Sequence, residues 1–358
     1  MPIPRRPATA LLLLALLAGS TAAGPAERVI RYSVHTMGTV GTVAMVADDS
    51  LAALDDARSG LAVFAAVDRR FSNWDHHSEI SRANASVDAG PVQLSSEAAT
   101  VVAAALRIAA ESNGAFDPTV EPLVRLWGFL GGRPAVPEPA AVEAVLGRVG
   151  HHRVQLDART LTTSTDRVRI DLGGIAKGRA VDRAITDLRR RGVEHALVDL
   201  SGTVRTVGHP PGRQRWTLGI RDPGSQDAWF ARLRLDTDAV ATSGDYEQFV
   251  ARDGTRHGHV LDPRTGWSVR GLVSVTIAAP TALEADAWAT AVLVMGPEEG
   301  RRLLAARDDL AGVLVQSASA GRHRVWVEDS LRGRFDLVTG AEARFAVEWF
   351  DAQRDSTR

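Results

Sequence analysis

Residues 171–178, Asp-Leu-Gly-Gly-Ile-Ala-Lys-Gly, combine an acid, a glycine pair and a lysine in one short segment. Alternating apolar residues over 168–172 predict a strand before it, and residues from about 175 to 190 predict a helix after it. Exposed N–H groups at a helix N-terminus bind anions, and a glycine pair lets a phosphate come close. The spacing matches neither the P-loop nor the dinucleotide-binding glycine motif. The segment is therefore a candidate anion site of a different kind.

The lysine of this segment, Lys177, is the only lysine among the 42 lysine and arginine residues of the chain. A compact ammonium group fits beside a phosphate or carbonyl oxygen where the planar guanidinium group does not. Taken alone, the segment is also compatible with a tight strand–helix turn that carries a solvated lysine. The position of the single lysine favours a functional role for the turn.

A second candidate site lies on a helix that the sequence predicts over residues 281–295. Thr281 and Glu284 have the spacing of a capping box, which sets the start of the helix. Asp286 and Thr290 then lie four residues apart, on one face of the helix that is otherwise apolar. A carboxylate and a hydroxyl group one turn apart can ligate a hard cation such as Mg²⁺. The alternative is that both side chains serve nearby backbone groups.

Two loops complete the set of candidate segments. Residues 113–119, Asn-Gly-Ala-Phe-Asp-Pro-Thr, follow a predicted helix, and their Asp-Pro-Thr sequence is also ordinary turn chemistry. His259 begins a short strand predicted over 259–261, next to an Asp-Pro-x-Thr-Gly turn at 262–266. A histidine there can act as a general base, although an isolated histidine is more often structural. The His-x-His pair at 257 and 259 lacks further ligands at a spacing usable for zinc.

The N-terminus has the order of a secretory signal. Arg5 and Arg6 precede an apolar run over 8–19, and small residues follow up to Ala23. The run is too short to span a bilayer of about 30 Å, so we expect a signal peptide over 1–23 rather than an uncleaved anchor. No other apolar run approaches the length of a span. The expected location is therefore the periplasm or another compartment outside the cytoplasm.

Composition sets the broad class of the protein. The chain has 358 residues, 45% apolar and 24% charged, which is typical of a globular protein. A net charge of −1 gives no electrostatic basis for nucleic-acid binding. The absence of cysteine excludes disulfides, thiolate metal sites and an N-terminal lipid anchor.

The periodicities predict helices and strands interspersed along the chain, without a strict strand–helix–strand rhythm. We expect an α+β fold in a single domain over residues 28–350. Helices are predicted over 50–67, 96–112, 140–146, 175–190 and 281–295. Strands are predicted over 29–46, 168–172, 196–207, 216–220, 239–243, 259–261 and 272–277.

Together, and in this order, the candidate segments resemble the ApbE family, the FAD:protein FMN transferases. The similarity extends from about His35 to Gly296, and the matching segments are 37–39, 71–72, 78–82, 114–119, 171–178, 241–246, 259–266 and 285–290. The resemblance implies an exported, Mg²⁺-dependent, T-fold-like single domain. It implies that FAD is the substrate, that FMN passes to a Thr or Ser hydroxyl of an acceptor protein, and that AMP is released.

The resemblance also assigns roles to individual residues. It implies that Mg²⁺ is held by the side chains of Asp286 and Thr290 and by the carbonyl of Gly174. It also implies two catalytic residues, which are Asp286 and the candidate base His259. The residues expected to contact FAD are Met37, Trp74, Ala115, Phe116, Asp117, Asp171, Lys177 and Val260.

Some positions depart from the family pattern. Trp74 stands where tyrosine is usual, and its only polar group is an N–H donor. Residues 199–203, Asp-Leu-Ser-Gly-Thr, stand where Asn-x-Gly-Gly-Asp is usual, and Glu121 stands where glycine is common. Because some members mainly hydrolyse FAD, one alternative is an Mg²⁺-dependent FAD pyrophosphatase that yields FMN and AMP. The other is an exported, non-catalytic FAD-binding protein, against which the pair Asp286 and Thr290 argues.

Overall fold

The computed structural model describes residues 28–225, 227–236, 238–245 and 248–351. The predicted signal peptide and Tyr246 of the segment 241–246 lie outside these ranges. In chain order the described residues form seven α-helices: α1 (Ser50–Phe71), α2 (Glu79–Ser86), α3 (Ser96–Glu111), α4 (Glu121–Leu126), α5 (Pro139–Leu146), α6 (Ala176–Arg190) and α7 (Ala282–Ala305).

The same residues form seventeen strands: β1 (Arg28–Thr36), β2 (Thr39–Ala47), β3 (Val92–Gln93), β4 (Val154–Asp157), β5 (Thr160–Thr163), β6 (Ala196–Leu200), β7 (Thr203–Val207), β8 (Trp216–Arg221), β9 (Trp229–Leu235), β10 (Ala239–Gly244), β11 (Phe249–Arg252), β12 (Thr255–Gly258), β13 (Ser274–Ala279), β14 (Ala311–Ser317), β15 (His323–Glu328), β16 (Phe335–Leu337) and β17 (Phe345–Phe350).

One sheet of nine strands forms the centre of the fold. Its order is β1-β2-β6-β7-β10-β13-β14-β15-β17, and neighbours are antiparallel except β15 and β17, which are parallel. Three smaller sheets have the orders β16-β9-β8, β3-β5-β4 and β11-β12. The expected α+β class is confirmed.

The central sheet buries both of its faces, because successive side chains of a strand point to opposite sides. Met45 and Val198 belong to a core that also contains the buried faces of α1, α6 and α7. Ala44 and Leu197, one residue away along the same strands, pack with the sheet β16-β9-β8. A smaller cluster joins α4 and α5 to the loop after β12, where Trp127 Nε1 donates to the carbonyl of Gly266 over 3.0 Å.

Two predicted strands are absent from the described structure. Residues 168–172 bury their apolar side chains but form no strand, and a side chain of another element takes the place of a strand partner. The N–H of Ile170 donates to Asn84 Oδ1 over 2.7 Å, and Asn84 Nδ2 donates to the carbonyl of Ile170 over 2.8 Å. The N–H of Asp171 donates to the carbonyl of Pro118 over 2.7 Å. These bonds satisfy the backbone without a second strand.

The strand predicted over 259–261 is also wrong, because the local hairpin ends one residue earlier. β12 ends at Gly258, and the N–H of His259 donates to the carbonyl of Gln248 over 2.9 Å. Leu261 forms only an isolated bridge with Ser268. His259 therefore follows a strand instead of beginning one.

The long helices form where the sequence predicts them, with different ends. Asp49, one residue before the predicted start, caps α1 by accepting from the N–H of Leu51. Thr281 caps α7, and its hydroxyl accepts from the N–H of Glu284 over 3.2 Å. The predicted end of α7 at residue 295 is a kink at Gly296, where φ is 78° and the helix then continues to Ala305. Within the described ranges, no helix has both the length and the apolar character needed to cross a bilayer.

Candidate active site

The segment 171–178 contains the glycine turn and the first residues of α6, which begins at Ala176. Asp171 Oδ1 accepts from the N–H of Gly173 over 2.6 Å, which closes the turn. Lys177 lies in the first turn of α6, and its Nζ lies 3.4 Å from the carbonyl oxygen of Gly173 and 3.3 Å from Asp286 Oδ1. The single lysine therefore joins the two candidate sites that the sequence placed on different helices.

Asp286 is the buried centre of this group, with 3% of its surface exposed. Its Oδ2 accepts from the N–H of Gly178 over 2.9 Å, and its Oδ1 accepts from the hydroxyl of Thr203 over 3.3 Å. Together with Lys177, these donors balance the cost of burying a carboxylate. Of the two roles that the sequence allows for Asp286, the structure shows the bond to the backbone of α6, and the cation role stays a prediction.

Thr290 lies one turn further along α7. Its hydroxyl donates to the carbonyl of Asp286 and lies 3.3 Å from the hydroxyl of Ser243. A Cβ atom placed on Gly174 would lie 3.5 Å from Thr290 Oγ1 and 3.1 Å from the ring of Phe116. Gly174 and Thr290 are thus neighbours, separated by a space that the glycine leaves open.

The three predicted cation ligands fit a small, hard cation in kind. A carboxylate, a hydroxyl and a carbonyl are oxygen donors, and Mg²⁺ is usually held by one or two carboxylates together with substrate phosphates. The ranges that the structure describes hold no group of three or more His, Asp or Glu side chains able to bind a metal ion. A cation at Asp286 therefore needs further oxygen ligands from its substrate.

The turn is also electrostatically unusual. Burial raises the pKa of the Asp171 carboxyl above its usual range, and Glu121 raises it further. The N–H of Gly173, Lys177 and Arg125 act in the opposite direction. Glu121 is itself buried and accepts from Arg125 over 2.6 Å. Two acids and two bases therefore act together on the electrostatics of the turn.

The segment 113–119 is a tightly bonded loop. Ala115 and Phe116 are buried, and the N–H of Phe116 donates to the hydroxyl of Ser112 over 3.1 Å. Asp117 Oδ1 accepts from the N–H and the hydroxyl of Thr119, and its Oδ2 accepts from the N–H of His151 over 2.6 Å. The carboxylate of Asp117 therefore holds two loops together, and the ring of Phe116 faces Gly174.

Met37 and Trp74 lie on separate elements. Met37 occupies the turn between β1 and β2 with φ of 49°, and its side chain packs against the main core. Trp74 follows α1, has 65% of its surface exposed and lines a cavity of about 630 Å³. Asn84, Glu121 and Arg169 also line this cavity. Asn84 also donates to the carbonyl of Ile170, the residue before Asp171, so the cavity adjoins the glycine turn.

His259 and Val260 lie in the loop after β12, and both are half-buried. The ring of His259 meets the ring of Phe129 edge-to-face, with 6.4 Å between centroids. The carbonyl of Val260 accepts from the N–H of Val269 over 3.1 Å. The loop is thus fixed on one side by the cluster around α4.

The end of β10 links this loop to Thr290. Ser243 approaches Thr290, and Asp245, two residues further on, packs against Gly258, where an added Cβ would lie 3.0 Å from the Asp245 carbonyl oxygen. His259 follows Gly258 directly. Burial raises the pKa of the Asp245 carboxyl, and Arg256 partly offsets this. The structure therefore brings the predicted base and the predicted cation site to the same end of β10.

Three residues of the site were not singled out from the sequence. The hydroxyl of Thr203 donates to Asp286, and the hydroxyl of Ser243 lies close to that of Thr290. The carboxylate of Asp182 accepts from N–H groups of the first turn of α7. Thr203 and Ser243 stood in noted segments without a role. Asp182 carried a weak signal, since it is an acid on the apolar face of the predicted helix 175–190.

Known proteins share both the sequence and the fold of this chain. The ApbE family model matches residues 37–314. This chain belongs to the ApbE family. An ApbE-family relative from Salmonella typhimurium named FAD:protein FMN transferase is 32% identical over 321 residues, which cover 87% of this chain and 91% of the relative. One of the same name from Treponema pallidum is 33% identical over 317 residues, covering 82% and 86%.

Solved ApbE structures have the same fold. The crystal structure of the ApbE protein of Thermotoga maritima superposes with a TM-score of 0.79 at 31% identity, covering 86% of this chain and 99% of that chain. The apo form of the Pseudomonas stutzeri flavinyl transferase ApbE gives a TM-score of 0.77 at 30% identity, covering 86% and 97%. The resemblance stated from the short motifs is confirmed.

Proposed function

We propose that this chain is an Mg²⁺-dependent FAD:protein FMN transferase that acts outside the cytoplasm. One observation carries the proposal: Gly174 lies beside Thr290, and Asp286, one turn earlier on α7, contacts Lys177 and Gly178 of the first turn of α6. The ApbE-family relatives named FAD:protein FMN transferase support the activity, and the predicted signal peptide over 1–23 supports the location.

Asp286, Thr290 and the Gly174 carbonyl would hold Mg²⁺, and the ion when bound would neutralise the charge of the FAD pyrophosphate. Lys177 lies beside this group and would bind a phosphate oxygen with its Nζ. The N–H groups at the start of α6 are already engaged in part, because that of Ala176 donates to the carbonyl of Leu172 and that of Gly178 donates to Asp286. Asp171 would contact the nucleotide from the other side of the glycine pair.

The flavin would lie toward the cavity at Trp74, where the exposed indole ring can cover or stack on it. Phe116 of the loop 113–119 is well placed beside the glycine pair, because its ring borders Gly174. We assign Met37, Ala115, Asp117 and Val260 to the surrounding wall. Asp117 would act there by shaping the loop, because its oxygens accept bonds from Thr119 and His151.

In the transfer step, the hydroxyl oxygen of an acceptor Thr or Ser bonds to the phosphorus on the FMN side. The bond from that phosphorus to the bridging oxygen breaks, and AMP leaves with the bridging oxygen. The hydroxyl proton passes to His259, because an unassisted hydroxyl is a weak nucleophile. Nδ1 of His259 is buried, so we assign the proton to Nε2.

The test incubates the purified protein with FAD, Mg²⁺ and a peptide, and identifies the products by mass spectrometry. The probe is a library of Thr-containing peptides, with matched peptides that carry Val in place of Thr as the control. We expect FMN to be attached only to Thr peptides, with one AMP released for each FMN attached.

Two other outcomes would contradict the proposal. Release of AMP and free FMN with every peptide unchanged would identify an FAD pyrophosphatase. This is the second candidate function because the exposed Trp74 stands where tyrosine is usual. Binding of FAD without turnover would identify a flavin-binding protein.

A further inference from the structure

The N-terminal turns of α6 and α7 cap each other. Asp182 of α6 is 8% exposed, and its two carboxylate oxygens accept from the N–H groups of Ala282 and Leu283 over 2.9 and 3.0 Å. In return, Asp286 of α7 accepts from the N–H of Gly178 over 2.9 Å. Each helix therefore supplies a buried carboxylate to the unpaired N–H groups of the other.

The two helices meet too closely for a side chain at the contact. A Cβ atom on Gly178 would lie 2.1 Å from the carbonyl oxygen of Ala282. Only a glycine allows this approach, and the approach brings the N–H of Gly178 within reach of Asp286. The geometry of the Asp286 carboxylate consequently depends on how the first turn of α7 is held against α6.

Arg205 ties this contact to the central sheet. It lies on β7, donates to the carboxylate of Asp182, and donates to the carbonyl of Pro280 over 3.2 Å. Thr203, two residues earlier on β7, donates to Asp286. One strand therefore contacts both carboxylates, and the positive charge of Arg205 compensates the buried charge of Asp182.

We propose that Asp182 is a positioning residue for the cation site at Asp286 and Thr290. It binds no substrate; it fixes the first turn of α7, and so the direction in which Asp286 and Thr290 point. This inference rests on the proposed function, since it takes Asp286 and Thr290 as the ligands. A misplacement of catalytic groups by about 1 Å can lower a rate by about 100-fold, so a fixed helix start has a large effect.

The test compares Asp182→Asn with Asp187→Asn in the full mature chain. Asp187 lies on the same helix, but its carboxylate accepts from Ser59 of α1 over 2.6 Å, away from α7. In Asp182→Asn an NH₂ group replaces one carboxylate oxygen, so it faces an N–H donor of α7 and one of the two bonds is lost. We expect amide hydrogen exchange over residues 282–286 to be at least about tenfold faster in Asp182→Asn, with no change there in Asp187→Asn.

A second measurement relates this change to the cation. With FAD present, we expect the Mg²⁺ concentration for half-maximal thermal stabilisation to rise at least about tenfold in Asp182→Asn and to stay unchanged in Asp187→Asn. If Asp182→Asn does not fold, Arg205→Lys carries the same test, because it loses the bond to Pro280 and keeps the charge. An unchanged Mg²⁺ midpoint in a destabilised Asp182→Asn would overturn the proposal.

The two proposals fail in different ways. A wild-type chain with no response to Mg²⁺ would contradict the proposed function and, with it, a cation-positioning role for Asp182. Slow exchange over 282–286 in Asp182→Asn would show that Asp182 does not hold the turn, whatever the wild-type chain does with FAD.

Discussion

The helix-pair region, formed by the first turns of α6 and α7, contrasts with the hairpin region, formed by β11, β12 and the loop to Val260. In the helix-pair region, buried carboxylates accept two or more bonds each. In the hairpin region half of the residues of β11 and β12 are exposed, including Phe249 at 47%. Sparse burial lowers local stability. Under the proposed function, the nucleotide phosphates bind preorganised groups, whereas the predicted base His259 follows a less buried hairpin.

The largest effect should come from the helix-pair region. Asp286→Asn keeps an acceptor oxygen for the N–H of Gly178 but removes the charge that faces Lys177 and a cation. We expect FAD turnover to fall by at least about 100-fold, because charge neutralisation at the phosphates is lost. Steady-state AMP release over a range of Mg²⁺ concentrations measures this. Asp187→Asn is the control, and equal Mg²⁺ dependence in both variants would refute the ligand role.

Substitution in the hairpin region should separate binding from transfer. In His259→Gln we expect FMN transfer to fall by about 100-fold, the lower range for loss of a general base. Affinity for FAD should stay nearly unchanged, because the proposed function places the phosphates in the helix-pair region. The neighbouring His257 is buried against Trp127, with 5.5 Å between ring centroids, so His257→Gln should lower stability and spare transfer. If His259→Gln lost FAD affinity and FMN transfer to the same extent, the proposed separation of nucleotide binding from transfer would be wrong.

A stability effect is expected at Asp199, which lies on β6 between Val198 and Leu200 of the main core. Burial raises its pKa from 3.8 to about 6, while the N–H of Gly202 and Arg221 act in the opposite direction. Between these two values the folded chain binds more protons than the unfolded chain, so this residue makes stability fall as pH rises from about 4 to about 6. Asp199→Asn removes that dependence, and asparagine is the residue that the family resemblance leads us to expect there.

Urea unfolding at pH 4 and pH 8 measures this effect. The variant should gain about 2–3 kcal/mol over wild type at pH 8 and almost nothing at pH 4, from about 1.4 kcal/mol for each pKa unit. A difference between variant and wild type that does not change with pH would show that Asp199 has an ordinary pKa in the folded chain.

The smallest effect is expected at the rim of the cavity. Trp74→Tyr restores an aromatic ring with a hydroxyl group, and we expect the ratio of peptide-bound FMN to free FMN to rise about threefold. Affinity for FAD should change little, since both rings can stack on a flavin. Quantifying both products in one reaction gives the ratio. A constant ratio would show that Trp74 does not govern the choice between acceptor and water.

Local sequence patterns predicted the helix-pair region well. The spacing of Asp286 and Thr290 and the glycine turn before Lys177 depend on residues close together in the chain, so periodicity and capping rules describe them. Their proximity in space was expected only from the family resemblance. The structure shows why they meet: Gly178 lets α6 approach α7 closely enough for Asp286 to accept its N–H.

The errors arose where distant partners replaced local ones. Residues 168–172 alternate like a strand, but the bonds from Asn84 and Pro118 satisfy their backbone, and neither partner is visible in the local pattern. His259 was placed in a strand because the hairpin β11–β12 before it was not recognised. Asp182 was missed because its partners, Ala282 and Leu283, lie about one hundred residues later in the chain.

Calorimetric titration of FAD into Gly174→Ala with and without Mg²⁺ tests the central claim most directly. Gly174 is not in the left-handed region, so alanine is allowed there, but its methyl group would enter the space beside Thr290 and Phe116. Gly147→Ala is the matched control, because its methyl group would meet nothing within 4 Å. We predict that Mg²⁺ strengthens FAD binding at least about tenfold in wild type and Gly147→Ala and has no effect in folded Gly174→Ala. An equal Mg²⁺ effect in all three proteins would contradict a cation site between Gly174, Asp286 and Thr290.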